Sequence, residues 1–291
     1  EKFADNMIYI KDDYSEIYSH TCEIKSVSED SSKPVRTLSI RIVRPNDKFT
    51  YNNIVVNIPN VRKPVPLFIV MRALGIESDY DIINHCLLDL EQYSDYVDLF
   101  IPSVHDAGNI YNQEVAIKYI STLTKNKTVP HTLYILSDYL LPHIGEINFT
   151  DKAFFIGHMV FELLKVLKNV KKPTDRDSFK YKRVELTGEL IYGLFKEYYT
   201  LQQKHIFQKI DKEYYYKQGI YQDINFISLI ENNSNEIFKD RILESGFKKA
   251  FKGSWGAEEH TRRPEVIQDL NRLSFNSFMS HLRKINLPLD S

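Results

Sequence analysis

The sequence predicts an α+β fold, with an N-terminal antiparallel sheet and packed helices followed by a mainly helical region. Three observations carry this prediction. The run TLSIRIVR (37–44) alternates Leu38, Ile40 and Ile42 with Ser39, Arg41 and Val43, the period-2 signature of a half-buried strand. Past Pro64 and Pro66 the apolar spacing lengthens to that of helices. Strand-like segments come first and helical ones after, without the alternation that a parallel βαβ sheet requires.

Taken in order, FADNMIYIKDD (3–13), HTCEIKSV (20–27) and NIVVNIP (53–59) are the partner strands of TLSIRIVR, separated by breaks such as SEDSSKPV. Helices are predicted near 79–90, 112–123, 131–141 and 151–168. In the last, Ile156, Val160, Leu163, Leu164 and Leu167 fall at i, i+4, i+7, i+8 and i+11, Thr150 is placed to cap the start, and Pro173 follows the end. Another long helix is predicted from about Arg183 to Lys209, where Val184, Thr187, Ile191, Leu194, Phe195 and Tyr198 keep 3.6-type spacing. Gly246, Gly253 and Gly256 then break the chain into a less regular, basic end. The expected division is 1–174 as an α+β domain, 175–250 as a helical segment and 251–291 as the basic end. HLRKINLPLDS closes the sequence without a packing element, which reads as a fragment of a longer polypeptide.

At 291 residues, 43% hydrophobic and 26% charged, the chain has the composition of a globular protein, and its 19 Tyr and 17 Phe argue against disorder. Cys22 and Cys86 lie far apart with no C-x-x-C, so neither a disulfide framework nor a zinc knuckle is expected, and the reading is intracellular. No apolar run approaches the roughly 20 residues of a membrane span.

Charge is near neutral overall but unevenly spread. From Ala73 to Asn109 there is no Lys or Arg, while Glu77, Asp79, Asp81, Asp89, Glu91, Asp95, Asp98 and Asp106 are acidic. One basic concentration comprises Lys165, Lys168, Lys171, Lys172, Arg176, Lys180, Lys182 and Arg183. A second comprises Lys248, Lys249, Lys252, Arg262, Arg263, Arg272, Arg283 and Lys284. These are the candidate anion-facing surfaces.

The phosphate-cradle, dinucleotide, G-x-S-x-G and H-E-x-x-H signatures are absent. Asp175-Arg176-Asp177 has the D-x-D spelling of metal-dependent transferases, and that is one reading of it. A divalent ion, however, wants converging carboxylates with few competing cations. Arg176, Lys180, Lys182 and Arg183 favour the other reading, a solvated cluster in which Asp177 caps a helix and Arg183 pairs. In QDLNRLSFNSFMSHLRKIN (268–286), Gln268, Asn271, Arg272, Ser277, His281, Arg283 and Lys284 interleave with apolar residues. Such donors suit phosphates and ribose hydroxyls, although an ordinary amphipathic helix with a basic face has the same pattern.

Five ordered stretches resemble the second-largest subunit of the multisubunit DNA-directed RNA polymerases, of eukaryotic, archaeal and large-DNA-virus type. They are VPLFIVMRALGIESDYDI (65–82), LLPHI (140–144) with KAFFIGHMVFELL (152–164), DRDSFKYKRVELTGEL (175–190), GSWG (253–256) and QDLNRLSFNSFMSHLRKIN. The resemblance implies that 1–174 is the lobe, 175–250 part of the protrusion and 251–291 the start of the fork. It further implies that Gln268, His281 and Arg283 line the path of nascent RNA and hybrid, with Arg262 and Arg263 in or near the first fork loop. Lys284 joins them, although the family has a second Arg there and Lys lacks its bidentate fork. Lys182 and Arg183 are either nucleic-acid contacts or structural cations.

By the same resemblance the fragment is not catalytic alone and holds no metal. The catalytic Mg²⁺ belongs to the largest subunit, and zinc is expected in the subunit's part beyond Ser291. The implied partners are the other polymerase subunits, above all the largest, with template DNA, nascent RNA, and initiation factors on the lobe and protrusion. No membrane partner is implied. The location would be nuclear, or cytoplasm and virion for a large DNA virus, a source suggested by the Ile, Asn, Lys and Tyr usage of an AT-rich genome. The alternatives are a transferase using Asp175 and Asp177, or a docking module using the acidic 77–106 stretch.

Overall fold

The computed structural model describes residues 2–29, 33–45, 52–216, 226–264 and 266–286, apart from the side chain of His260. The chain separates into two compact units, one of Ala4–Glu29 with Val35–Tyr181, the other of Glu1–Phe3, Asp30–Pro34 and Lys182–Ser291. The fold is α+β, as the periodicities predict.

Five strands of the first unit form an antiparallel sheet in sequential order: β2 (Ile8–Asp12), β3 (Tyr18–Ser26), β4 (Arg36–Val43), β5 (Ile54–Asn57) and β6 (Val65–Pro66). The register explains why apolar residues recur at every second position. Ile10 pairs with Cys22, Cys22 with Ile40, Ile40 with Val56 and Val56 with Val65. That row crosses the whole sheet, and each of its members is buried.

Helices cover this apolar sheet. They are α1 (Leu67–Ala73), α2 (Asp79–Leu87), α3 (Ser94–Val97), α4 (Ile101–Asp106), α5 (Gln113–Leu123), α6 (Val129–Tyr134) and α7 (Phe149–Leu167). α7 packs on β2, β3 and α2. Its start corrects the expected cap: Asn148 precedes the first turn and Thr150 lies inside it, because partly buried Phe149 packs on the core and draws the helix back. The helix expected at 131–141 is α6 running into a single π-helical stretch, Ile135–Tyr139.

α1 was not legible as a helix because every one of its residues is buried, so LFIVMRA shows no polar stripe. Arg72 is the exception in chemistry but not in burial. Its guanidinium donates to the carbonyls of Glu77 (3.3 Å) and Ile110 and pairs with Asp79, so each buried donor meets an oxygen.

In the second unit, β1 (Lys2–Phe3) pairs antiparallel with β7 (Lys182–Arg183). Helices α8 (Thr187–Tyr216), α9 (Phe226–Ile237), α10 (Ile242–Phe251) and α11 (Phe275–Leu282) follow. The long helix therefore begins at Thr187, four residues after the expected Arg183. Residues 182–183 are extended because a strand from the chain's start pairs with them, a contact no local pattern reveals. Among the described residues no helix is long and apolar enough to cross a membrane.

Candidate nucleic-acid interface

The second unit is organised by α8. Leu190, Leu194, Tyr198 and Leu201 recur at i, i+4, i+8 and i+11, and this stripe packs with Ile242, Leu243, Phe247, Ala250 and Trp255. Gly246 lets the ring of Tyr198 lie directly on α10, where a methyl group would collide with it. Trp255, from the GSWG stretch, is buried and bonds through its backbone: Arg263 N–H donates to its carbonyl at 3.1 Å. The GSWG segment is thus tied to the core at one end and to Arg263 at the other.

Between those ends lies a compact loop. Gly256 has φ +95°, and a Cβ there would strike the carbonyl of Thr261, so only glycine permits the approach. Residues Glu259–Thr261 form a 3₁₀ turn closed by a capping box between Glu258 and Thr261. The Oε1 of Glu197, on α8, accepts from the amides of Ala257 (2.9 Å) and Glu258 (3.4 Å) and from the Thr261 hydroxyl. Arg262 follows at once and is exposed, with no ion pair among the described residues. Its charge is felt at Tyr198, whose hydroxyl burial and Glu197 push up while Arg262 pulls it down. Arg263 donates from Nη1 to Glu185 Oε2 at 2.5 Å, and Lys2 approaches the other oxygen at 3.5 Å.

Glu185 thereby brings Arg263 beside the Lys182–Arg183 strand. Lys182 lies 4.1 Å over the ring of Phe3, and Arg183 Nη1 donates to the Lys182 carbonyl at 2.8 Å. In the preceding D-x-D, Asp175 Oδ1 accepts the Asp177 amide at 3.0 Å, an Asx turn. The expected cap by Asp177 is therefore corrected: the carboxylate that caps is that of Asp175, and it closes its own turn. Arg176 lies 5.6 Å over the ring of Tyr9. Among the described residues no group of three His, Cys, Asp or Glu side chains gathers where it could hold a metal ion.

α11 presents the remaining candidates. Ser274 Oγ caps it by accepting the Ser277 amide at 3.2 Å, the Ser277 hydroxyl oxygen accepts the Ser274 amide at 2.9 Å, and Asn271 Oδ1 accepts from both the Ser277 hydroxyl (3.2 Å) and the Leu273 amide (3.0 Å). The helix entrance is therefore fixed by hydrogen bonds rather than by burial, since none of its residues is buried. Asn271, Phe275, Met279, His281, Arg283 and Lys284 border an open concavity of about 700 Å³. His281 and Arg283 stand in its last turn and at its C-cap, with Lys284 next. Gln268 lies exposed in the irregular segment before the helix. The apolar residues are exposed too: Leu273 at 91% and Phe275 at 77%. This is an amphipathic helix whose apolar side has no cover within the described residues.

The first basic concentration divides differently. Lys165 and Lys171 both donate to Glu162, at 2.9 and 2.5 Å, and Lys168 sits 4.0 Å over the ring of Tyr96 while donating to the Asp95 carbonyl. Burial raises the Glu162 carboxyl, but the two lysines outweigh it and hold the group below its ordinary range. These lysines serve the first unit's own structure. Glu197 and Glu185, which order this surface, were not singled out from the sequence, since a lone Glu carries no spacing signal. The S-x-x-S of Ser274 and Ser277, by contrast, is a readable capping pattern.

Comparison with known proteins follows the same line. The family described as RNA polymerase Rpb2, domain 2 matches residues 15–185. DNA-directed RNA polymerase II subunit RPB2 of Encephalitozoon cuniculi is 33% identical over 304 aligned positions, covering 100% of this chain and 25% of the relative. DNA-directed RNA polymerase II subunit 2 of Arabidopsis thaliana is 30% identical over 99% of this chain and 24% of its own length. DNA-directed RNA polymerase subunit 2 of Acanthamoeba polyphaga mimivirus is 29% identical over 81% of this chain and 21% of its length. The chain thus spans about a quarter of the length of the curated relatives it matches.

Proposed function

The chain belongs to the family RNA polymerase Rpb2, domain 2, a part of the polymerase second-largest subunit, and on that premise we propose that it forms a wall of the DNA cleft and contacts the RNA–DNA hybrid. The single observation that carries this reading is α11. It is an exposed helix with a rigidly capped entrance whose far end delivers His281, Arg283 and Lys284 together. Arg and Lys side chains on one anchored helix end can neutralise backbone phosphates, and His281 adds a hydrogen-bonding ring beside them. In this reading Gln268, Arg262, Arg263, Lys182 and Arg183 are further contacts, Arg263 being joined to Glu185 next to the Lys182–Arg183 strand.

In this reading the chain positions nucleic acid and does no chemistry of its own. The catalytic Mg²⁺ is the largest subunit's, and zinc belongs to another part of the second subunit. The isolated chain binds hybrid poorly because it offers one edge of a channel. Its location follows that of the assembled enzyme, the nucleus or, for a viral enzyme, cytoplasm and virion. The test is Arg283→Ala in the assembled polymerase. Loss of one phosphate contact lowers the slope of log K against log salt by about 0.7–0.9, and elongation complexes dissociate sooner. Unchanged complex lifetime and slope would remove Arg283 from the interface.

One observation favours a second role for the first unit, the docking of initiation factors. Tyr80 and Leu88 are exposed at 66% and 71% within the stretch that has eight acids and no Lys or Arg between Ala73 and Asn109. A basic factor domain would be held there, and its capture would weaken with salt.

A further inference from the structure

Three donors of the loop between Trp255 and Arg263 converge on one oxygen of Glu197: the amides of Ala257 and Glu258 and the hydroxyl of Thr261. Glu197 itself is held in place from the adjacent position, because Tyr198 is buried against α10 and Trp255. Thr261 has its own ties to the loop. Its amide donates to the Glu258 carbonyl at 3.1 Å and its hydroxyl accepts the Glu258 amide at 3.1 Å. The next two residues in the chain are Arg262 and Arg263. Wherever the hydroxyl of Thr261 is pinned, the reach of both guanidiniums is set.

A carboxylate beside arginines that meet phosphate would ordinarily work against binding, both by repelling the phosphates and by pairing with the arginines. The geometry removes that objection. The Glu197 oxygen is taken up by backbone and hydroxyl donors, while the acid that pairs with Arg263 is a different one, Glu185. Arg262 is left with its charge outward, and the loop keeps a fixed shape instead of a mobile one. Charge-assisted bonds from amides to a carboxylate are about twice as strong as neutral ones, so this one side chain adds strongly to the loop's own ties.

We propose that Glu197 is the positioning residue of this interface, holding the 255–263 loop on α8 so that Arg262 projects to nucleic-acid phosphates from a defined distance, with Arg263 held beside it by Glu185. The inference rests on the reading that Arg262 faces the hybrid, and the experiment separates the two. Assembled polymerase is prepared with Glu197→Ala, with Glu197→Gln, and with Arg262→Ala/Arg263→Ala together. Retention of an RNA–DNA hybrid is measured across a KCl series, and melting of each enzyme is recorded alongside. The paired arginine variant should lower the salt slope by about 0.7–0.9, the one contact of Arg262. Glu197→Ala should lower it in the same direction, and Glu197→Gln, which keeps an oxygen where Oε1 accepts, should restore it. Adding Glu197→Ala to the arginine variant should then change the slope little, since the two act through one contact set.

An unchanged slope in the arginine variant overturns the reading of the interface. A lowered slope there with a normal slope in Glu197→Ala overturns the positioning role alone, and so does a fall in melting temperature with no change in slope. Tighter binding by both Glu197 variants would mean that the carboxylate acts only through its charge, which also overturns the proposal.

Discussion

Lys152 donates from its ammonium to the carbonyl of Ser137 at 2.6 Å, and it does so from a side chain with no exposed surface. A second bond reaches the Leu136 carbonyl at 2.9 Å. Both acceptors lie in the π-helical stretch Ile135–Tyr139, where the wider turn disturbs the regular backbone pairing and leaves carbonyls to be satisfied otherwise. The lysine of α7 supplies the donors, so the Ile135–Tyr139 stretch and α7 are joined at this point. His143 belongs to the same neighbourhood: its Nδ1 meets Ser26 Oγ at 2.7 Å, and burial followed by the Lys152 charge pushes its pKa down.

Lys152→Met should therefore destabilise the first unit by about 1–3 kcal/mol, the cost of leaving buried acceptors unpaired. Urea unfolding of the purified chain, followed by far-UV circular dichroism, measures it. Stability equal to or above that of the parent would mean that the carbonyls find other donors.

The same lysine fixes a pH dependence. Burial lowers its pKa to about 8, against an ordinary value of 10.5, with Asp138 and Glu146 opposing the shift. Between those two values the unfolded chain binds the proton and the folded chain does not, so stability rises with pH across that window relative to pH 7. The difference in unfolding free energy between the parent and Lys152→Met should accordingly change between pH 7 and pH 10 in the parent's favour. Parallel pH profiles for the two proteins would contradict the assignment.

Arg72→Ala should cost about 2–5 kcal/mol, because it empties the space of a fully buried side chain and removes its bonds to Asp79 and to the carbonyls of Glu77 and Ile110. Arg72→Lys should recover only part of this, since one ammonium cannot span the directions that the guanidinium fork serves. Equal stability of the lysine variant and the parent in urea titrations would sink the argument from geometry.

Gly157→Ala tests how closely α2 and α7 approach. A Cβ at this position would lie 2.6 Å from the His85 carbonyl oxygen, so the helices must separate. The expected loss is about 1–3 kcal/mol, visible as a lower urea midpoint with an unchanged slope. The nearby stack of His85 on Phe154, with ring centroids 4.2 Å apart, should loosen at the same time.

The class of fold was legible because period-2 and period-3.6 patterns are local consequences of one buried face, and the strand at 36–43 carries the alternation in Leu38, Ile40 and Ile42. The α7 stripe of Ile156, Val160, Leu163 and Leu164 was readable for the same reason, and all four are buried. α1 was not, since a helix buried all round has no polar side to set its period. The five ordered stretches made the family readable before any geometry was known.

What the sequence determined by itself was therefore every feature written in the spacing of neighbouring residues: the α+β class, most elements, the family, and α11 as a basic amphipathic helix. The tertiary structure alone decided which cations are engaged at home and which face outward. Lys165 and Lys171 turn to Glu162, Arg263 to Glu185 across 78 residues of chain, and the loop carrying Arg262 closes on Glu197. A cation's partner is set by Coulomb energy and hydrogen-bond geometry over a few ångströms of space. Sequence separation carries no information about that distance until the chain has folded.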